Sequence, residues 1–328
     1  MGTTVKTTLA FFIAASGMIT AGPVTAQAQQ KFPTKPIRLI VPFGPGSAAD
    51  VVARIYAAKL GEALNQTVVV DNRAGAGGLI GTETAAKAAP DGYTVLVFGT
   101  NQTIAPALYK NLPYDPVRDF AHISLYGTLP NILVVPPSLQ AKSVKEFVAL
   151  AKAAPGSLRF GSSGIGASPH LTMELFKSRT GIDLVHVPYR NSAQGFTELV
   201  GGNLQAWFSN LPSALGNLKA GRLRGLAVTS AKRAEQLPEV PTIMESGVPD
   251  FEVTAWQGLA VPVATPGPIV DRLHAAMMQT LAAPDLKQRF AEQGVTAAPI
   301  TRAAFAAFVK SEGAKWAKVV QDSGAKVE

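Results

Sequence analysis

Two segments rich in glycine and serine are the residues of this sequence best suited to bind an anion. They are Phe43-Gly44-Pro45-Gly46-Ser47-Ala48 and Ser162-Ser163-Gly164-Ile165-Gly166-Ala167-Ser168, and each precedes a helical pattern. The N-terminus of a helix exposes unpaired backbone N–H groups and a partial positive charge, and small residues let a carboxylate approach them closely. Either segment alone is as readily an ordinary turn between a strand and a helix. Two of them in different halves of the chain indicate a binding site.

Nucleotide and metal motifs are absent or incomplete. The sequence has no G-x-x-x-x-G-K-[ST] pattern, and Ile80 stands where a G-x-G-x-x-G motif beginning at Gly75 requires its third glycine. The histidines show no metal-ligand spacing, and we interpret each as structural: they are His122, His170, His186 and His274. Of these, His170 is near enough to the second segment to reach a ligand. We expect no metal and no cofactor.

A hydrolase motif is incomplete as well. Ser163 follows Gly161 by two residues, but Ile165 occupies the second glycine position of G-x-S-x-G. No set of nucleophile, base and metal can be assembled from the spacing. The sequence therefore argues against an enzyme. A cleft enzyme such as an esterase is the alternative, and it would convert its ligand instead of returning it unchanged.

Three tryptophans and one arginine are further candidates. Trp316 lies in a C-terminal amphipathic pattern and is interpreted as a packing residue. Trp207 ends a predicted strand and Trp256 lies in another, so each can line a cleft or belong to a core. Arg190 follows Tyr189 at a strand end, where it can pair with a second carboxylate or remain solvated.

A scaffold of strands and helices must bring the two segments together. Residues 37–41 are apolar apart from Arg38, which predicts a strand buried on both faces, and Ser47 is placed to cap the helix that follows. Predicted strands at 67–71 and 93–98 continue a β-α-β-α-β order, closed by a 99–103 loop. This order predicts a doubly wound sheet whose loops gather at the carboxyl ends of its strands.

A second unit of the same design follows. An extended stretch at 123–136, broken by Gly127 and Pro130, is the predicted passage between lobes, and Ser143 opens a helix with a capping box. Strands are predicted at 158–160, 186–189, 205–208, 225–228 and, returning to the first lobe, 251–261, with a helix at 192–200 and three C-terminal helices that cover the first lobe's sheet. We place lobe 1 at 29–131 and 254–328, and lobe 2 at 132–253.

Composition and the N-terminus indicate an exported protein. An apolar stretch after Lys6 and the small-x-small site Ala26-Gln27-Ala28 predict a signal peptide at 1–28. Without cysteine, the chain has neither disulfides nor a lipid attachment site. The formal net charge is +8, or +7 without Lys6, and it is spread without a basic run. This favours small anions over nucleic acid, with the periplasm as the expected location.

Several ordered motifs resemble the Bug (TctC-like) family of periplasmic solute-binding proteins of tripartite tricarboxylate transporters. The motifs are Lys35-Pro36-Ile37-Arg38-Leu39-Ile40-Val41-Pro42-Phe43, Asn72-Arg73-Ala74-Gly75-Ala76-Gly77-Gly78, Pro90-Asp91-Gly92-Tyr93-Thr94, Val187-Pro188-Tyr189-Arg190 and Asn210-Leu211-Pro212-Ser213-Ala214. The resemblance implies an α/β, two-lobed periplasmic binding protein fold (type II-like). It also implies that loops of both lobes grip a ligand carboxylate, partly through ordered water.

The expected function is capture of a small organic mono- or dicarboxylate and delivery to the large and small membrane subunits of the transporter. A ligand-sensing partner of a membrane sensor kinase is a further alternative, and we expect a monomer. Ser209 stands where many relatives have Asp, which disfavours an ammonium-bearing ligand, and Gly46-Ser47 replaces a frequent Gly-Gly. The candidate ligand-binding residues are Phe43, Gly44, Gly46, Ser47, Ala48, Thr100, Asn101, Ser162, Ser163, Gly164, Gly166, Ala167, Ser168, His170, Arg190, Trp207, Ser209, Asn210 and Trp256. The tryptophans weakly favour an aromatic or elongated ligand.

Overall fold

The computed structural model describes residues 1–4, 32–190 and 192–325. The chain divides into two units, Met1–Lys31 and Phe32–Glu328, and the described strands and helices belong to the second. The predicted signal peptide, apart from its first four residues, lies outside the described residues. Within the part of the chain that the structure describes, no helix is both long enough and apolar enough to cross a membrane.

Strands and helices alternate along most of the chain. The strands are β1 (Ile37–Val41), β2 (Val68–Asn72), β3 (Thr94–Gly99), β4 (Phe120–Val135), β5 (Arg159–Ser162), β6 (Val185–Pro188), β7 (Ala206–Asn210), β8 (Arg224–Val228), β9 (Thr254–Pro262) and β10 (Thr296–Ala297). The helices are α1 (Ala48–Leu64), α2 (Leu79–Ala86), α3 (Thr100–Leu108), α4 (Val144–Ala153), α5 (Ser168–Thr180), α6 (Ser192–Val200), α7 (Leu211–Lys219), α8 (Gly267–Ala282), α9 (Pro284–Glu292) and α10 (Arg302–Ser323).

The strands form one curled sheet in the order β2-β1-β3-β9-β4-β7-β5-β6. The pairs β2-β1-β3 and β7-β5-β6 are parallel, as expected for strands joined by crossover helices. Strands β9 and β4 run antiparallel to their neighbours and lie between these two groups. The predicted class is therefore confirmed: each lobe has a parallel α/β half-sheet flanked by helices.

Strand β4 passes from one lobe to the other. Its first part, up to Pro130, pairs with β9, whereas Asn131 to Val135 pair with β7 and β8 on opposite edges. The sequence predicted a break at Gly127 and Pro130, but the strand continues through both, with shifts of register only between His122 and Ser124 and between Leu125 and Gly127 in its pairing with β9. Such bulges bend a strand without ending it, which allows one strand to serve both halves of a curled sheet.

Aromatic side chains fill the core of each lobe. Tyr56 of α1 stacks on Tyr126 of β4 with ring centroids 5.1 Å apart, and both are fully buried. In the second lobe, Phe176 of α5 packs edge-on against Phe208 of β7 at 5.5 Å. Full burial of one such apolar side chain contributes about 1.5–3 kcal/mol to folding. Each lobe therefore has its own hydrophobic core.

The C-terminal helices differ in part from the prediction. Helices α8 and α9 pack against α1 in the first lobe, as expected. Helix α10 continues further: Phe305 and Val309 belong to a first-lobe cluster, whereas Trp316 and Val320 belong to a second-lobe cluster. Two other helices were missed, since α3 replaces the predicted 99–103 loop and α7 follows β7 directly.

Candidate functional site

A narrow cleft lies where the carboxyl ends of the parallel strands of both lobes meet. Its empty volume, including the part open to solvent, is about 580 Å³. The first lobe contributes Pro42, Phe43, Ser47, Ala48, Ala49, Val97, Gly99, Thr100, Asn101, Ala255, Trp256 and Gln257, and the second contributes Ser163, Ser168, Pro169, Ser192, Trp207, Ser209, Asn210 and Ser213. Such a space suits a small ligand that replaces a few water molecules.

The cleft is suited to an anion although no charged side chain is among its described lining residues. Instead, five helices begin at its wall: α1 near Ser47, α3 at Thr100, α5 at Ser168, α6 at Ser192 and α7 after Asn210. The first turn of a helix leaves N–H groups unpaired and carries partial positive charge, so these termini stabilise an anion between them.

The first segment is held in shape by a buried carboxylate. Asp50 accepts a hydrogen bond from the Gly46 N–H at 3.0 Å, from Asn72 Nδ2 at 3.0 Å and from Arg54 Nε at 2.9 Å. Ser47 caps α1, since its Oγ accepts from the Asp50 N–H at 3.2 Å, and its own hydroxyl hydrogen remains available to the cleft. The Gly46 N–H is therefore occupied within the loop, and neither Gly44 nor Gly46 lines the wall.

The second segment is held from behind by two stacked histidines. Ser162 Oγ lies 2.7 Å from His186 Nε2 and accepts from the Gly164 N–H at 3.1 Å, while the Gly166 N–H donates to His170 Nδ1 at 3.3 Å. The two imidazoles stack with centroids 4.2 Å apart. The N–H groups of Gly164 and Gly166 are already used in these hydrogen bonds. The donors that face the cleft from this segment therefore come from Ser163 and Ser168.

Both histidines are kept neutral by burial. Loss of solvent and, to a smaller extent, the nearby Lys177 ammonium lower the pKa of His170 to about 4. Loss of solvent, then His170 and Lys177, lower the pKa of His186 to about 3. The neutral state matters because Gly166 needs an unprotonated Nδ1 as its acceptor. The pair therefore supports the loop at neutral pH, and neither imidazole is among the residues that line the cleft.

A buried amide network fixes the second-lobe wall. Asn131 is fully buried, and its Nδ2 donates to Ser168 Oγ at 3.1 Å and to Thr172 Oγ1 at 2.7 Å. Its Oδ1 accepts from Asn210 Nδ2 at 2.5 Å. Because Ser168 Oγ is an acceptor in this network, its hydroxyl hydrogen is available to donate into the cleft.

The first-lobe wall is held by a tyrosine and a glutamate. The Tyr126 hydroxyl donates to Gln257 Oε1 at 2.6 Å, and burial raises the pKa of Tyr126 well above its usual range, so the phenol stays a donor. This leaves the Gln257 amide nitrogen for the cleft. The Trp256 indole N–H instead points away and donates to the buried Glu312 of α10 at 2.8 Å, so Trp256 offers ligand only its apolar surface.

Trp207 is placed by glycine backbones. An added Cβ at Gly161 would lie 2.2 Å from Trp207 Cε3, and one at Gly195 would lie 2.3 Å from Cζ3. The ring also stacks on Phe196 with centroids 5.1 Å apart. The sequence left open whether Trp207 and Trp256 line a cleft or belong to a core. Both side chains are buried and also line the cleft.

The two lobes touch across one end of the cleft. An added Cβ at Gly77 would lie only 1.9 Å from the backbone oxygen of Ile165, and one at Gly164 would lie 3.1 Å from the Gly77 nitrogen. Gly77 has φ +62°, in the region that favours glycine. The glycine-rich stretch before α2, interpreted from sequence only as a tight turn, therefore meets the second glycine- and serine-rich segment, residues 162–168.

The cleft brings together eleven of the nineteen predicted residues: Phe43, Ser47, Ala48, Thr100, Asn101, Ser163, Ser168, Trp207, Ser209, Asn210 and Trp256. The others lie outside its wall: Gly44, Gly46, Ser162, Gly164, Gly166, Ala167 and His170 support the two loops, and Arg190 is exposed just beyond β6. Ser192 and Ser213 were missed, although each lies in the first turn of a helix that follows a strand. Gln257, on an antiparallel strand, carries no comparable sequence signal.

Comparisons with known proteins agree with this architecture. The family model described as "Tripartite tricarboxylate transporter family receptor" matches residues 52–325. Protein BugT of Bordetella pertussis is 37% identical over 322 residues, covering 98% of this chain and 97% of BugT. A structure from R. palustris with adipate has a TM-score of 0.87 at 35% identity, over 90% of this chain and all of that one. MatC from Rhodopseudomonas palustris with bound malate has a TM-score of 0.84 at 29% identity, over 88% of this chain and all of MatC.

Proposed function

The chain belongs to the tripartite tricarboxylate transporter receptor family, periplasmic solute-binding proteins and not enzymes, and on that premise we propose that it captures a small organic carboxylate by lobe closure. It then delivers the ligand to the membrane subunits of a tripartite transporter. The observation that carries the proposal is the uncharged cleft at which five helix N-termini converge. Adipate and malate in the related structures support the carboxylate class.

Both lobes have to contribute to useful affinity. Micromolar binding corresponds to about −8 kcal/mol, and one hydrogen bond to a charged group contributes about 1.5–3 kcal/mol. Several bonds are therefore needed to offset the cost of association. First-turn donors of α1 and α3 in one lobe, and of α5, α6 and α7 in the other, supply that number when the lobes are closed.

The lobe boundaries and the cellular route are part of the proposal. Lobe 1 comprises residues 29–131 and 254–328, and lobe 2 comprises 132–253. In support, β4 changes partners between Pro130 and Asn131, within one residue of this boundary, and β9 returns the chain. Export uses the 1–28 signal peptide, and the mature protein acts as a monomer in the periplasm. The family's periplasmic location supports this route.

Native mass spectrometry tests the ligand class. The mature protein is purified without refolding, its bound molecule is released and identified, and the same compound is titrated back by calorimetry. We expect a carboxylate that binds once per chain and is recovered chemically unchanged. Recovery of only cationic or neutral compounds, or turnover of the compound, would overturn the proposal.

A further inference from the structure

Asn210 presents a hydrogen-bond acceptor to a cleft whose helix N-termini and capping serines offer donors. It lies at the end of β7, half-buried, and lines the wall. Its Nδ2 donates to Asn131 Oδ1 at 2.5 Å, so its own Oδ1 has no partner among the described residues. The hydroxyls of Ser47 and Ser168, by contrast, already accept hydrogen bonds from the protein and are left to donate.

The orientation of this amide follows from a chain of buried hydrogen bonds. Thr172 donates its only hydroxyl hydrogen to the Ser168 carbonyl at 2.8 Å, so toward Asn131 its Oγ1 can only accept. Asn131 must therefore direct its Nδ2 to Thr172, at 2.7 Å, and its Oδ1 to Asn210. Asn210 must then donate to Asn131, which leaves Oδ1 facing the cleft. All of these hydrogen bonds except the one with Asn210 join buried residues of the wall.

We propose that Asn210 Oδ1 selects ligands that carry a hydroxyl group in addition to a carboxylate. An unpaired carboxylate oxygen of the ligand would be repelled there, whereas a hydroxyl donates to it. An ammonium could also donate, but the cleft has no charged lining residue among those described and is surrounded by helix N-termini, whose partial charge is positive. The inference rests on the proposed function and names the substrate class of the same site as a hydroxycarboxylate.

Matched ligands and matched variants test the selectivity. Succinate and the better-bound enantiomer of malate differ by one hydroxyl, and calorimetry should show malate binding at least tenfold more tightly, as one buried hydrogen bond allows. Asn210→Leu should abolish this preference. Thr172→Val should reduce it, because Asn131 is then able to turn over, while Thr180→Val should retain it. Thr180 makes the same bond to the carbonyl four residues earlier in α5 without touching the network.

Equal binding of malate and succinate to the wild type, or a preference that survives in Asn210→Leu, would overturn the inference.

Hydrogen exchange of the Asn210 side-chain amide provides a second test, which needs no ligand. In the ¹⁵N-labelled protein, the side-chain NH₂ of Asn210, assigned by its loss in Asn210→Asp, should exchange at least tenfold more slowly than that of the exposed Asn65, and Thr172→Val should remove the difference. Exchange as fast as at Asn65 would overturn the orientation. Failure of both acids to bind, with recovery of a carboxylate that carries no hydroxyl, would also overturn the inference, whereas failure to bind any carboxylate while the protection is present would contradict the proposed function instead.

Discussion

The lobes approach each other closely at Gly77 and Ile165, and on the proposed function this contact belongs to the closed cleft. A methyl group on Gly77 would lie 1.9 Å from the Ile165 oxygen, whereas carbon and oxygen normally approach to about 3.3 Å. The lobes would have to separate by about 1.4 Å at this point, since a backbone carbonyl cannot turn aside like a flexible side chain. Because of this separation, a ligand that bridges the closed cleft would lose its contacts to one of the two lobes.

Gly77→Ala should therefore raise the dissociation constant of the carboxylate recovered from the native protein at least tenfold, or about 1.4 kcal/mol. The substitution also carries a conformational cost of about 1–2 kcal/mol, because φ is positive. Gly181→Ala provides the control: its φ is +66°, close to +62° at Gly77, but an added Cβ there meets nothing within 4 Å.

Calorimetry and urea unfolding separate the two effects. Both variants should lose similar free energy of unfolding, but only Gly77→Ala should bind weakly, and small-angle scattering with ligand should show a larger radius of gyration for it. If Gly77→Ala binds as tightly as Gly181→Ala, the contact between Gly77 and Ile165 does not belong to the ligand-bound state.

Three further predictions concern the loops and the wall. Gly161→Ala should reduce the free energy of unfolding by about 1–3 kcal/mol, because its methyl group would overlap Trp207. Gly216→Ala, at a helical position with open space, should not reduce it. Equal stability of the two variants would contradict the placement of Trp207. Lowering the pH from 7 to 4.5 should reduce the free energy of unfolding by about 2–3 kcal/mol for each of His170 and His186, because both have lowered pKa values. Their stabilisation is complete above pH 6.5, where the unfolded chain is also neutral, and is lost as the pH falls toward 4 and 3; a flat urea midpoint over this range would refute it. Ser163→Pro should abolish ligand binding in calorimetry while the thermal unfolding temperature stays unchanged, and unchanged affinity would argue against a donor role for this segment.

Much of the fold was predictable because its signals are local. The helix 192–200 was predicted with its observed bounds, and Ser47 caps α1 as expected, since capping depends on residues three positions apart. Strand β1 was recognised from an apolar run because a strand buried on both faces has little room for polar residues. Helix α3 was missed because its cap, the Gln102 side chain accepting from the Gly99 N–H at 2.7 Å, is unusual for a glycine position.

The candidate site was predictable only in outline. The rule that loops gather where parallel strands end places Phe43, Thr100 and Ser168 near one cleft, and the structure brings them together. The rule does not say which N–H groups remain available. Gly46 and Gly166 look like anion binders in sequence, yet Asp50 and His170 occupy their N–H groups.

The sequence by itself determined most of the order of strands and helices, the two glycine-rich segments and the family, because these depend on neighbouring residues and on short motifs. Only the tertiary structure decided which polar atoms face the ligand. Asn131 lies 79 positions from Asn210 and Tyr126 lies 131 positions from Gln257, and each pair fixes one amide at the cleft wall. The direction of a buried hydrogen bond depends on the partners that folding brings together, and no local pattern records them.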